Sequence, residues 1–160
     1  ETPFAILAPG AYYGPAKRWD PERFVHVARS LRARGLAVLL GGEARDREVT
    51  ATVAAAVPGA IDLAGRTSLG EAAGLAARAR MVLSNDSGFA HLAAAVGAPT
   101  VVIFGSTSSA WTAPLGPRVR VVQHAPVCSP CFRRTCAIGY ACLTAVEPRE
   151  VERVLIEVAA

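Results

Sequence analysis

The sequence predicts a doubly wound α/β fold, in which one parallel sheet carries helices on both faces. Three observations point to it. Short apolar runs rich in β-branched residues alternate with longer stretches of helical period, the runs are apolar on both faces, and Gly, Pro and charge separate the blocks.

In chain order the strands fall at Phe4 to Ala8, Ala37 to Leu40, Ile61 to Leu63, Met81 to Ser84, Thr100 to Phe104 and Val119 to Gln123. The first helix is expected over Pro21 to Arg34, with Asp20 as N-cap, Pro21 at the first helical position, an apolar face of Phe24, Val27, Ala28 and Leu31, and Gly35 as the stop. A second spans Asp46 to Val57 before Pro58 and Gly59. A third spans Leu69 to Arg80, capped by Ser68 with Glu71 in its first turn, where a carboxylate suits the positive end of the helix dipole. A short fourth runs from Ser87 to Val96, and a closing helix covers Pro148 to Ala159. Strand, helix, strand units connect by right-handed crossovers, which place the helices on both sides of the sheet.

At 160 residues and 52% hydrophobic, the chain has the size of one ordinary domain, so residues 1–160 are read as a single unit. No apolar run approaches the eighteen or so residues of a membrane span, and the first residues lack a basic then apolar leader pattern, so a cytoplasmic setting is expected. The charge balance of +4 comes from scattered residues and gives no footprint for nucleic acid. Lys17 is the only lysine among 17 basic residues, which singles it out as a compact ammonium on a flexible stem.

Parallel sheets of this kind bind ligands beyond the carboxyl ends of their strands, at the point where strand order reverses. The loop Pro9 to Trp19 follows the first strand and brings small residues together with Lys17, a cation able to meet phosphate. After the second strand, Gly41-Gly42-Glu43 sets a carboxylate where ribose hydroxyls could donate to it, although a glutamate taken alone at such a place more often simply faces solvent. Gly65-Arg66-Thr67-Ser68 offers backbone that could read an adenine edge, although capping alone explains Ser68. Asn85-Asp86-Ser87-Gly88 carries the most information. Unpaired N–H groups of Ser87 and Gly88 at a helix start, with the helix dipole behind them, form an anion site, and Gly88 lets a phosphate come close. Asp86 would repel that phosphate, so it faces sugar hydroxyls or acts as the N-cap. His91 lies one turn after Ser87 on the same helix face, placed to reach the ligand or to serve as a packing residue. The hydroxyls of Gly105 to Ser109 reach the same sheet edge.

Taken together, Pro9-Gly10-Ala11 with Lys17-Arg18-Trp19, Leu63-Ala64-Gly65 with Thr67-Ser68-Leu69, Asn85-Asp86-Ser87-Gly88 with His91, and Phe104-Gly105-Ser106-Thr107 resemble glycosyltransferase family 9 from about Phe4 through Val158. The resemblance implies the C-terminal, Rossmann-like half of a GT-B enzyme, the half that holds the donor nucleotide sugar. It implies that Lys17 neutralises the donor's pyrophosphate, Glu43 contacts ribose, Thr67 lies by the adenine, Ser87 and Gly88 bind phosphate through backbone, and Asp86 holds heptose hydroxyls, with His91 in the same pocket. It also implies an inverting, metal-independent transfer of heptose from ADP-heptose to a lipid-linked acceptor in lipopolysaccharide synthesis, at the inner-membrane periphery in a full-length enzyme. The family's general base is an aspartate near the start of the N-terminal half, and no residue here matches it. These residues alone are therefore expected to bind donor without transferring sugar, with an ADP affinity of about 4 to 8 kcal/mol.

Cys128, Cys131, Cys136 and Cys142 follow the last strand with spacing C-x2-C-x4-C-x5-C. Four thiols this close could wrap a structural zinc, but the second C-x2-C of a strong zinc signature is absent, and unligated thiols or disulfides fit as well. No organic cofactor is expected. Two rival functions use the same fold: a nicotinamide-dependent oxidoreductase, disfavoured because the first strand-to-helix loop lacks GxGxxG, and a stand-alone nucleotide-binding module.

Overall fold

The computed structural model describes residues 2–160. Six strands, β1 (Phe4–Ala8), β2 (Ala37–Leu40), β3 (Ile61–Asp62), β4 (Met81–Asn85), β5 (Thr100–Phe104) and β6 (Val119–Gln123), form one sheet in the order β3-β2-β1-β4-β5-β6. Every pairing is parallel. Chain order reverses between β1 and β4, so the loops that leave those two strands diverge around a crevice at the centre of the sheet.

Helices α1 (Pro21–Ala33), α2 (Arg47–Ala56) and α7 (Pro148–Ala159) cover one face, where Phe24, Val27, Leu31, Val53, Leu155 and Val151 pack against Leu7, Leu40, Leu83 and Ile103. Helices α3 (Leu69–Arg78) and α4 (Gly88–Ala95) cover the other, with Ala76 and Ala93 against Ile6, Leu39 and Val82. Ile6 and Leu7 thus serve opposite faces, as the two-residue period of a strand requires. The alanine-rich lining of the second face lets α3 and α4 sit close to the sheet.

The caps match their residue types. Asp20 accepts the Glu22 amide at 2.9 Å ahead of Pro21. Ser68 and Glu71 form a reciprocal capping box on α3, and these hydrogen bonds from Ser68 hold the Glu71 carboxyl below its ordinary pKa.

The chain departs from the expected boundaries in ways that have local causes. β3 stops at Asp62 because that side chain turns back to accept the Ala64 amide at 3.0 Å and the Thr50 hydroxyl at 3.0 Å, which ends the extended run before Leu63. β4 extends to Asn85, and α4 begins at Gly88 with Ser87, extended at φ −151°, in the N-cap position. Asp86 is therefore not the N-cap. Four short elements carry no sequence periodicity of their own: 3-10 turns at Pro15–Lys17 and Ala44–Asp46, and the one-turn helices α5 (Ser109–Thr112) and α6 (Ala141–Thr144).

Candidate functional site

Asn85, fully buried at the end of β4, builds the crevice. Its side-chain amide donates to the Pro9 carbonyl at 2.7 Å, and its oxygen accepts the Trp19 amide at 3.1 Å. One side chain thereby closes both ends of the loop that follows β1. Trp19, itself buried, fixes that loop to the body of the protein through its ring N–H, which donates to the Val146 carbonyl at 3.0 Å, and through edge contact with Phe24. Held this way, the Pro15–Lys17 turn projects Lys17 over the start of α4.

Lys17 Nζ stands 2.5 Å from Asp86 Oδ2, with the two side chains 13% and 3% exposed. The Thr107 hydroxyl, from the loop after β5, donates to the same oxygen at 2.6 Å. The Tyr13 ring lies 4.8 Å from the ammonium. Gly105 makes this convergence sterically feasible. A Cβ there would collide with the Ala16 carbonyl, the acceptor of the Ser106 amide at 3.1 Å, so only glycine lets the β5 loop pass so close to the lysine turn.

A cleft of about 780 Å³ opens beside this cluster. Lys17, Glu43, Thr67, Asp86, Ser87, Gly88 and His91 all line it, so the structure brings together every one of the seven residues singled out in the sequence. At its floor the first turn of α4 presents amides that have no acceptor within the helix. A Cβ added at Gly88 would meet nothing within 4 Å. Gly88 thus borders open cleft. His91 is exposed on the cleft wall, which removes the packing role as an explanation for it. Ser68 is accounted for by its cap, whereas Thr67 lines the cleft. Glu43 lies at the rim, its carboxylate 2.5 Å from Arg45, and the Arg45 guanidinium covers the Tyr12 ring at 4.4 Å.

The sequence profile described as "Glycosyltransferase family 9 (heptosyltransferase)" matches residues 1–141. The chain belongs to glycosyltransferase family 9. It is similar to lipooligosaccharide heptosyltransferase 2 of Haemophilus influenzae, 38% identical over 128 residues that make up 77% of this chain and 37% of the relative. Lipopolysaccharide heptosyltransferase 2 of Escherichia coli K12 is 37% identical over the same lengths, again 77% of this chain and 37% of the relative. The solved structure of E. coli ADP-heptose lps heptosyltransferase II superposes with a TM-score of 0.86 at 31% identity, covering 99% of this chain and 47% of that one. This family 9 chain therefore spans less than half the length of these relatives, and the oxidoreductase reading has no support.

Several residues of the cleft carried no sequence signal. Tyr12, Arg45, Asp46, Phe89 and Thr112 also line the cleft. Asp46 reaches it because its carboxylate accepts the Glu43 amide at 2.9 Å and packs on Gly10, a contact set by the β1-β2 pairing. Asn85 was visible only as part of a motif, not as the staple of the lysine loop.

The cysteine segment backs the lysine turn from outside the cleft. Ser106 O accepts the amides of Cys131 at 3.0 Å and Phe132 at 2.9 Å, and the Arg134 carbonyl accepts the Ala16 amide at 3.0 Å. The Tyr13 hydroxyl donates to the Phe132 carbonyl, and Arg134 sits 5.3 Å from the Tyr13 ring. All four thiols are unbridged, and among the described residues no three His, Cys, Asp or Glu side chains are arranged to hold a metal. Two of the thiols differ in their surroundings. Amides of Ile138 and Tyr140 aim at Cys136 Sγ at 3.5 and 3.3 Å and pull its pKa down, whereas burial pushes the Cys142 thiol up. Because the thiolate is the reacting form, Cys136 is expected to be alkylated by iodoacetamide at a lower pH than Cys142. Mass spectrometry of the modified peptides across a pH series checks the order.

Proposed function

We propose that this chain is the donor-binding part of an inverting glycosyltransferase that moves heptose from ADP-heptose to the inner core of lipopolysaccharide. The observation that carries the reading is the convergence of Lys17, the α4 start and Asp86 on one cleft at the β1/β4 reversal point. In this reading the diphosphate lies against the amides of Ser87 and Gly88, where the helix dipole favours negative charge. Lys17 turns toward it. As the bond to the anomeric carbon breaks, charge grows on the departing β-phosphate, and a pre-positioned ammonium and amide set stabilises it without reorganising. Asp86 accepts hydrogen bonds from sugar hydroxyls, Glu43 from ribose hydroxyls, and Thr67 flanks the adenine, with His91 on the sugar side. The general base and the lipid-linked acceptor site are assigned to the remainder of a longer protein, which works in the cytoplasm at the periphery of the inner membrane. Among the described residues no helix is long and apolar enough to cross a membrane.

Calorimetry with ADP tests this. Wild-type protein is expected to bind ADP in the micromolar to millimolar range, more tightly than NAD. Gly88→Leu is expected to abolish that binding while the protein stays folded, since the new side chain enters open cleft and leucine favours the helix more than glycine does. Folded wild-type protein that ignores ADP, or a Gly88→Leu variant that binds it unchanged, would overturn the reading.

A further inference from the structure

We infer that Thr107 is a positioning residue that holds Asp86 for the sugar while Lys17 serves the diphosphate. The inference rests on the donor reading above and extends it to a residue with no assigned part in it. Thr107 is 5% exposed, and its hydroxyl has one proton, donated at 2.6 Å to Asp86 Oδ2. The same oxygen carries the Lys17 contact at 2.5 Å. Two donors on one side of the carboxylate therefore fix its rotation and direct its second oxygen elsewhere.

Thr107 is itself held in place. Its carbonyl accepts from Gln123 Nε2 at 2.9 Å, and Gln123 Oε1 accepts the Ser109 hydroxyl at 2.7 Å. The hydroxyl thus belongs to a braced corner between β5 and β6, not to a loose loop. This matters once donor arrives. Lys17 is shared between Asp86 and an incoming phosphate, and any turn toward phosphate strips a 3%-exposed carboxylate of its cation. A buried carboxylate left without donors is costly, and it would follow the ammonium toward the diphosphate, which it repels. The Thr107 hydrogen bond, made to a charged acceptor, keeps Asp86 in place through that exchange.

Calorimetry with two probes, ADP and ADP-heptose, separates this role from a structural one. In wild type the sugar is expected to add affinity over ADP alone, and equal affinity for the two ligands would overturn the inference. Thr107→Val, nearly isosteric but without the hydroxyl, is expected to weaken ADP-heptose about tenfold or more while leaving ADP within about twofold. Thr107→Ser, which restores the hydroxyl, is expected to recover the difference, and circular dichroism melting monitors folding throughout. Where the valine variant does not fold, Thr107→Ala replaces it. Equal losses on both ligands, or no loss on either, would overturn the positioning role while leaving donor binding intact. Failure of wild type to bind either ligand would instead remove the donor reading and this inference with it.

Discussion

Replacing Lys17 with alanine is expected to lower ADP affinity about 30-fold, roughly 2 kcal/mol, and to cost the fold about 3 kcal/mol at the same time. The two losses have different origins. Binding suffers because the only ammonium at the cleft is gone. Stability suffers because Asp86, 3% exposed, is left without its cation, and the figure sits at the low end for a broken buried pair because Thr107 still donates to the carboxylate. A Lys17→Ala/Asp86→Asn double variant separates them. Removing both charges should restore most of the thermal stability, whereas ADP affinity stays low. Calorimetry and thermal melts on the single and double variants check both statements, and recovery of ADP binding in the double variant would show that Lys17 acts only by neutralising Asp86.

The second large effect is expected at Asn85. Alanine there leaves the Pro9 carbonyl and the Trp19 amide without their partners, and each buried unsatisfied group costs about 1 to 3 kcal/mol, so the total loss is about 2 to 6 kcal/mol. At this chain length that is roughly 2 to 4 °C in melting temperature per kcal/mol. Asn85→Asp should not rescue it. An aspartate accepts from Trp19 but cannot donate to Pro9, and it sets a charge against a carbonyl oxygen. ADP affinity is expected to fall along with stability, because the loop that loses its staple is the one that presents Lys17. An Asn85→Asp variant as stable as wild type would contradict this assignment.

The fold was legible because its signals are local. β-branched runs, Asp20 before Pro21, and the Ser68/Glu71 box each specify an element within a few residues, and the cleft position follows from the alternation of strands and helices. The membership of the cleft was legible for a similar reason, since residues at strand ends must share one edge. What escaped was pairing across the sheet. Lys17 and Asp86 are 69 positions apart and meet because β1 lies beside β4, with Leu7 opposite Leu83 and Ala8 opposite Ser84, which no window of sequence displays. Asn85 escaped similarly, since both its partners lie on a loop more than sixty residues upstream. Arg45 was missed because its place on Tyr12 depends on the 3-10 turn at Ala44–Asp46, an element too short to carry periodicity.

A nucleoside diphosphate is expected to lie between the lysine turn and the start of α4. A crystal structure of the protein soaked with ADP tests it most directly. Phosphate oxygens are expected within hydrogen-bond distance of the Ser87 and Gly88 amides, with Lys17 Nζ drawn toward them and Asp86 still bonded to Thr107. ADP seated elsewhere on the protein, with Lys17 and the α4 amides untouched, would contradict it.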